Sequence, residues 1–387
     1  MNSAILLLVF TAGVLVTAIV ASVAHRVRPR ARPHGPYRTL VTSALASMAG
    51  DDHRSAAAAL REAIELRGDD EVLYLLLAEE LLRSADPARA ERAADVLLTL
   101  SSLNANLHAA ALLLKGRACE QTGRPEEAEA LYEKAAAAQP RSGAPLVALE
   151  RLLSRRGRWR EAIAISERMA RVAPERARVV TARRRVLLAR EQLAEGNTAG
   201  ALAQADAALA ALPEMGAAHL TRGDALFQEG RPREARASWH EAARRAPQLA
   251  PLVLERLEAL AAGTHELDGA RAFAAEAVER EGSPQATARL AAWLAADALR
   301  RGATGEARAW SERVERAAPR SATAARAEAR LAASEDGRAA GARLSAVLSR
   351  WERERPWWDV WRCQRCGKES DEFEWRCPAC QGWETLA

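Results

Sequence analysis

Aromatic residues are scarce in this chain and make up only 4% of its 387 residues. A thick globular core needs bulky side chains, so this scarcity argues against one large core. Alanine is abundant, and helices that pack closely on one another can use alanine at their contacts. With 49% hydrophobic and 28% charged residues, the composition is foldable. It favours thin helical layers.

Lysine is almost missing as well. The net charge of +5 therefore comes almost entirely from arginine, and it is small for a chain of this length. The three lysines are Lys115, Lys134 and Lys368. Such a modest surplus of positive charge gives no indication of nucleic-acid binding, and we expect no nucleic-acid partner.

Familiar catalytic motifs are also missing. The sequence has no GxxxxGK[ST] phosphate loop, no GxGxxG turn, no HExxH helix and no GxSxG elbow. Its seven histidines are scattered along the chain. We therefore expect a protein that is not an enzyme.

The longest apolar run lies near the N-terminus, where residues 4–24 carry no charge. At about 1.5 Å per residue, a helix of this length spans the roughly 30 Å hydrocarbon core of a bilayer. A signal peptide is the alternative, but the leader lacks positive charge and the run exceeds the usual apolar region. We expect a single-pass anchor in residues 1–25 and a basic linker in residues 26–36. We expect the bulk of the chain to lie in the cytoplasm, because positive charge just after a span keeps that side cytoplasmic. The residues that carry this charge are Arg26, Arg28, Arg30 and Arg32.

Two segments in the middle of the chain, residues 111–140 and 218–247, share one pattern of small, large and turn-forming residues. The matching positions are Gly116, Ala128, Tyr132, Ala135 and Pro140 in one segment, and Gly223, Ala235, Trp239, Ala242 and Pro247 in the other. Prolines recur at the same interval, since Pro140 to Pro174 and Pro213 to Pro247 both span 34 residues. This pattern resembles the tetratricopeptide repeat, a pair of antiparallel helices.

Weaker copies of the pattern extend the repeat over residues 37–350, as about eight or nine units. An unrelated helical bundle is the alternative. Small residues let the two helices of a unit approach closely, and we expect Tyr132 and Trp239 to fill the groove toward the next pair. Stacked units form a superhelix with a concave face that binds peptides or proteins. The run Arg183-Arg184-Arg185 is typical of a solvated face or of part of that groove, but the sequence identifies no partner-binding residue.

Cysteine is rare, and four of the five cysteines lie within eighteen residues near the C-terminus. They form two C-x-x-C pairs, and Gly367 and Pro378 suit the tight turn that each pair requires. In a reducing compartment such a cluster indicates a metal site rather than disulfides. We predict one metal ion, iron or zinc, held by Cys363, Cys366, Cys377 and Cys380. The remaining Cys119 is expected to be a small buried residue.

The predicted ribbon, residues 351–387, is too short to build its own apolar core. The metal must therefore supply much of its folding free energy. Six of the ten tryptophans lie in this segment, and we expect them to pack around the metal knuckles and against the last repeat, with an exposed recognition role as the alternative. A structural or regulatory ribbon is favoured over an electron-transfer module, because no other cofactor motif is present. These tryptophans are Trp351, Trp357, Trp358, Trp361, Trp375 and Trp383.

An anchor, a repeat array and a terminal ribbon occur in the same order in the lipopolysaccharide assembly protein B family of Gram-negative bacteria, which this chain resembles. The resemblance is most specific in C-x2-C-G-x7-W-x-C-P-x-C-x2-W, which runs from Cys363 to Trp383. It implies an all-α tetratricopeptide superhelix with an N-terminal transmembrane helix and a small rubredoxin-like ribbon. It also implies a metal-ligand role for the four clustered cysteines.

The resemblance further implies a regulatory role at the bacterial inner membrane. Members of the family are understood as adaptors that present the deacetylase of the lipid A pathway to a membrane-anchored AAA+ protease, which limits lipopolysaccharide synthesis. The alternative is a membrane-tethered scaffold that organises an envelope-biogenesis complex without directing proteolysis. The sequence leaves a homodimer open.

Overall fold

The computed structural model describes most of the repeat region and part of the ribbon. Its residues are 35–100, 104–262, 267–280, 283–319, 321–334, 341–342, 345–347, 349, 361–363, 365–370, 377, 379–380 and 382–383. The predicted anchor at residues 4–24 and the arginines that follow it lie outside these residues. Among the helices that the structure describes, none is both long and apolar enough to cross a membrane.

Seventeen α-helices, one short 3-10 helix and two short strands have defined bounds among the described residues, and residues 341–342, 345–347 and 349 are also helical. The first sixteen α-helices form eight consecutive pairs, which confirms the predicted helical repeat fold. The α-helices are α1 Pro36–Ala49, α2 His53–Leu66, α3 Glu71–Arg83, α4 Pro87–Leu100, α5 Ala105–Gln121, α6 Pro125–Ala138, α7 Ala144–Arg155, α8 Trp159–Met169, α9 Pro174–Ala194, α10 Thr198–Ala211, α11 Gly216–Gln228, α12 Pro232–Arg245, α13 Ala250–Ala261, α14 Asp268–Glu279, α15 Pro284–Arg300, α16 Thr304–Ala317 and α17 Ala322–Ala333. The 3-10 helix is Pro247–Leu249, and the strands are β1 Trp361–Arg362 and β2 Glu369–Ser370.

The described residues divide into two compact units, with the division after Pro140. The first unit contains α1 to α6, and its main apolar cluster consists of alanine and leucine side chains between Ala44 and Ala118. The second unit contains α7 to α17 and the ribbon, and its main cluster runs from Ala182 to Trp383. Both clusters rely on alanine, as the shortage of aromatic residues predicts.

The seven turns within helix pairs that the structure describes in full share one geometry. A residue with positive φ follows the end of the first helix. The N–H of the residue after it donates to the carbonyl of the residue five positions earlier in the chain; for example, the N–H of Arg231 donates to the carbonyl of Leu226 at 2.9 Å. This closure satisfies carbonyls that the helix end would otherwise leave without partners. Five of the seven positions are glycine, which adopts positive φ without strain: Gly123, Gly157, Gly196, Gly230 and Gly302. Asp51 and Ala85 take this place in the first two pairs.

Two buried aromatic rings pack directly on glycines of the facing helix. A β-carbon at Gly116 would stand 2.5 Å from Cε1 of Tyr132, and one at Gly223 would stand 2.3 Å from Cδ1 of Trp239. Both rings are buried. Each ring therefore covers the glycine of its own pair, a contact that the sequence pattern did not specify.

Replacing Gly223 with alanine should destabilise the second unit. The new methyl group would overlap the Trp239 ring, and overpacking of this kind lowers the free energy of unfolding by about 2 kcal/mol. Urea denaturation followed by circular dichroism measures the change. Gly305→Ala is the matched control, since a β-carbon there meets no atom within 4 Å and alanine favours the helix. Equal urea midpoints for the two variants would contradict the packing described here.

The arginine run at 183–185 does not form one solvated face. Arg184 is only 9% exposed, and its Nε donates to Oε1 of Glu150 at 2.6 Å. Arg185 instead forms an ion pair with Glu167 at 3.0 Å. The prediction of a solvated face was therefore wrong for Arg184, which is a structural link between α7 and α9.

Asp297 is the acceptor in a second buried ionic cluster. Its Oδ2 accepts hydrogen bonds from Nε of Arg271 at 2.8 Å and from Nε of Arg301 at 2.9 Å. Burial alone would raise the pKa of this carboxyl, but the two guanidinium groups outweigh burial and hold the pKa below its usual value. The carboxylate thereby ties α14 to the end of α15.

Replacing Asp297 with asparagine should lower the free energy of unfolding at pH 7 by about 3 kcal/mol, because Arg271, Arg300 and Arg301 would lose a buried partner. Because folding lowers the pKa of Asp297, the wild type exceeds the variant in stability by the full amount at pH values above the unfolded-state pKa of about 3.9. This difference in the free energy of unfolding is lost as the pH falls through the folded-state pKa. Urea denaturation from pH 7 to pH 3 tests this. Asp268→Asn removes an exposed partner of the same Arg271 and should change stability by less than about 1 kcal/mol. A deficit for Asp297→Asn that stays constant with pH would refute the role of the charge.

Candidate metal centre and its docking on the repeats

The first cysteine pair lies between the two strands of a short antiparallel pair. Strand β1 pairs with β2 so that Trp361 lies opposite Ser370. The N–H of Cys363 donates to the carbonyl of Lys368, and the N–H of Gly367 donates back to the carbonyl of Cys363, both at 2.8 Å. Gly367 has a φ of 74°, a conformation that glycine adopts without a steric penalty. The chain thus folds into a tight knuckle that holds Cys363 and Cys366.

The second cysteine pair is held by a similar bond. The N–H of Cys377 donates to the carbonyl of Gly382 at 2.8 Å. This bond folds the chain around the Cys377–Cys380 segment, so that its two thiols turn toward those of the first pair. Pro378, which the sequence analysis assigned to this turn, lies outside the described residues.

All four thiol sulfurs lie within 4.8 Å of one another. The Sγ atoms of Cys363 and Cys380 are 3.5 Å apart, and those of Cys366 and Cys377 are 3.7 Å apart. These separations are far longer than a disulfide bond of about 2.05 Å. They are close to the roughly 3.8 Å edge of a tetrahedron whose corners stand about 2.3 Å from a central zinc. The four cysteines therefore form a site for one metal ion, as predicted.

The thiols differ in their access to water. Cys363 and Cys377 are buried, Cys380 is half-buried and Cys366 is exposed. Burial raises the pKa of the Cys380 thiol, and hydrogen bonds with the neighbouring thiols raise it further. Thiolates are the form that binds metal, so a cation must compensate four negative charges in this small space. A four-thiolate site of this kind suits zinc or iron.

The fifth cysteine has no part in this site. Cys119 lies in α5 and is fully buried, and burial raises the pKa of its thiol. A buried thiol with a raised pKa is a weak nucleophile. The structure thus agrees with the prediction of a small packing residue.

The ribbon is docked on the repeats through Trp383. This side chain is 8% exposed and belongs to the apolar cluster of the second unit. The guanidinium carbon of Arg183 lies 5.9 Å from the centre of its ring, within the range of a cation–π contact. Arg183 is in α9, so Trp383 reaches a helix well before the last repeat, where we had expected it to pack. The side chains of the other five C-terminal tryptophans lie outside the described residues.

Replacing Cys363 and Cys377 together with serine should remove the metal and unfold the ribbon, while the array stays helical. Elemental analysis of the purified protein should fall from one metal ion per chain to none, with little change in the far-ultraviolet circular dichroism. Cys119→Ser is the matched control, because it removes a cysteine outside the site and should keep the metal. A double variant that retains one metal ion per chain would disprove the assignment of the ligands.

Comparisons with known proteins support both parts of this description. Residues 361–387 match a family model described as a rubredoxin metal binding domain. Two further models are described as tetratricopeptide repeats. One matches residues 121–186, and the other matches residues 75–143 and 186–251. Repeats of this kind are generally non-enzymatic scaffolds that mediate protein–protein interactions. The matches therefore support an adaptor or scaffold role for the chain.

Several solved structures are similar to the repeat region. A tetratricopeptide repeat protein from Parabacteroides merdae is 14% identical over 81% of this chain and 99% of its own, with a TM-score of 0.38. YrrB, described as a repeat protein with an unusual peptide-binding site, is 23% identical over 50% of this chain and 94% of its own, with a TM-score of 0.37. The Arabidopsis OM64 repeat domain is 25% identical over 30% of this chain and 93% of its own, with a TM-score of 0.28. No curated protein gives a significant match.

Proposed function

Because its tetratricopeptide repeats and its C-terminal ribbon together match the lipopolysaccharide assembly protein B family, we propose that the chain is an inner-membrane adaptor for regulated proteolysis. In this proposal it holds the deacetylase of the lipid A pathway and presents that enzyme to a membrane-anchored AAA+ protease. The result is a limit on lipopolysaccharide synthesis. The ribbon is the single observation that carries the proposal, because its motif is the most family-specific part of the sequence.

The structure offers a physical basis for such an adaptor. Stacked helix pairs present an extended surface on which a client protein can bind. The ribbon adds a second, metal-dependent surface that is fixed to this array by Trp383. A client bound to either surface would be held without any chemistry by the adaptor itself.

We also propose that residues 4–24 anchor the chain in the inner membrane, with the four following arginines keeping the repeats on the cytoplasmic side. A client and a protease confined to the same membrane surface meet at a raised effective concentration. The anchor thereby accounts for how a protein without catalytic residues can accelerate degradation.

Depletion of the protein in its own host tests the proposal. The steady-state level of the lipid A deacetylase should rise and its half-life should lengthen, because the enzyme would no longer reach the protease. Immunoblotting after a block of protein synthesis measures both quantities. Re-expression of the wild-type chain should restore the short half-life, and re-expression of the Cys363→Ser, Cys377→Ser variant should not.

The same experiment separates the proposal from the alternative of a tethered scaffold. If depletion leaves the half-life of the deacetylase unchanged but disturbs an envelope complex, the chain organises that complex without directing proteolysis. A cytosolic protease substrate, followed in parallel, shows whether the effect is specific.

A further inference from the structure

A cavity of about 360 Å³ lies on the second unit, where the ends of α14 and α16 meet the first turn of α15. Helices α14 and α16 are the second helices of two consecutive pairs. The cavity shares no residue with the metal centre, and the proposed adaptor role assigns no task to it. The polar side chains of its lining are Glu279, Arg280, Thr287, Arg313 and Arg316.

Arg316 has a charge that no acidic side chain in the described part of the chain neutralises. It is exposed on α16, and its one hydrogen bond to a described residue runs from Nε to the carbonyl oxygen of Glu312, at 3.4 Å. A guanidinium has five N–H donors, so four of them remain. These donors are available to an acceptor that enters the cavity.

Arg313 and Arg280 are held only by weak ion pairs. Nη2 of Arg313 lies 3.6 Å from Oε1 of Glu279 and 3.5 Å from the carbonyl oxygen of Val278, and both distances are long for a hydrogen bond. Arg280 donates through Nη2 to Glu276, which is exposed. Exposed pairs of this kind contribute little free energy, so a ligand with more negative charge can replace them. With Arg316, three arginines face these two glutamates, which leaves a surplus of positive charge.

The first turn of α15 supplies further groups that favour an anion. Thr287 is half-buried in the wall of the cavity, and its hydroxyl forms no hydrogen bond with any described residue. Helix α15 has 17 residues and begins at Pro284, which also lines the cavity. The N-terminal end of a helix carries a partial positive charge. The hydroxyl and this partial charge add to the attraction of the three guanidinium groups.

Positive charge continues into a smaller neighbouring cavity of about 200 Å³, because Arg280 lines both cavities. His240 and Arg244 of α12 form part of the second wall. Burial lowers the pKa of His240, and although Glu276 opposes this shift, Arg236, Arg244 and Arg280 lower the pKa further. Arginines therefore outnumber glutamates in the lining of both cavities.

We propose that the cavity beside Arg316 binds a phosphate group. A phosphate monoester carries a charge of about −1.5 to −2 at pH 7 and has three strong acceptor oxygens. Arginine is the side chain of choice for phosphate, and here the donors come from the ends of two helices and the first turn of a third. A carboxylate has only two oxygens, which lie in one plane, so it fits donors on three sides less well.

The phosphate is carried either by a soluble phosphomonoester or by the headgroup of a phospholipid. Recognition by the arginines is the same in both cases, and only the rest of the ligand differs. The proposal is independent of the adaptor role, because neither a client protein nor a protease takes part in it.

Isothermal titration calorimetry with inorganic phosphate tests the proposal on the full chain in micelles of an uncharged detergent. We expect saturable binding at an ionic strength that chloride keeps constant. Phosphatidic acid added to the micelles then identifies the source of the phosphate group. If this lipid abolishes the binding of inorganic phosphate, the site takes a lipid headgroup. If phosphate binds as before, the site takes a soluble ligand. Oleate is the control lipid, because it is charged but has no phosphate.

Arg316→Gln should weaken the binding of phosphate by about tenfold, because it removes a charge-assisted contact. Glu279→Gln should strengthen the binding by about threefold, because it removes the carboxylate that competes for Arg313. A variant that merely failed to fold would not bind phosphate more tightly. Arg233→Gln is the matched control and should keep the wild-type affinity, because Arg233 is exposed on α12 and lies outside the lining of both cavities.

Thermal denaturation of each variant confirms that it is folded. The proposal would be overturned by an absence of saturable phosphate binding, by equal affinities of the wild type and Arg316→Gln, by the lack of any gain in Glu279→Gln, or by equal competition from phosphatidic acid and oleate. None of these outcomes bears on the adaptor role, which the half-life of the deacetylase tests separately.

Discussion

Close approach of helices across residues with little or no side chain is the constraint on which the array depends. Where a glycine faces an aromatic ring, as Gly223 faces Trp239, the ring takes the space of the missing side chain. Elsewhere alanine has the same role, since it dominates both apolar clusters. A chain with few aromatic residues can bury its apolar surface in this way, but only in thin layers. Binding chemistry must then reside on the faces of the layers and not in a deep cavity.

Polar links between neighbouring repeats complement this apolar packing. Glu150 and Arg184 are 34 residues apart, Asp224 and Arg256 are 32 apart, and Glu258 and Trp293 are 35 apart. All three links join the first helix of one pair to the first helix of the next. Because each bond spans about one repeat, it fixes the stacking of adjacent units and contributes nothing to distant ones. The link between Asp224 and Arg256 also lines a pocket on the second unit, together with Arg190.

Much of the fold could be predicted from the sequence, because local rules determine it. The left-handed turn conformation favours glycine, so Gly123, Gly157 and their equivalents mark the turns. The metal ligands follow from cysteine spacing alone. The burial of Arg184 could not be predicted from its run of arginines, because its partner Glu150 becomes adjacent only when repeats stack. Opposite charges about one repeat apart were the signal that could have found this pair. The membrane anchor, outside the described residues, stays a prediction.

The docking of Trp383 on α9 makes the length of the array significant. Eight of the described α-helices, α10 to α17, separate α9 from the ribbon in sequence. An isolated repeat array tolerates the gain or loss of a unit, because each unit contacts only its neighbours. Here the end of the chain returns to one particular arginine several units earlier. The gain or loss of a unit between α9 and the ribbon would move Trp383 away from Arg183. A change in the number of these units therefore requires a new docking site for the ribbon.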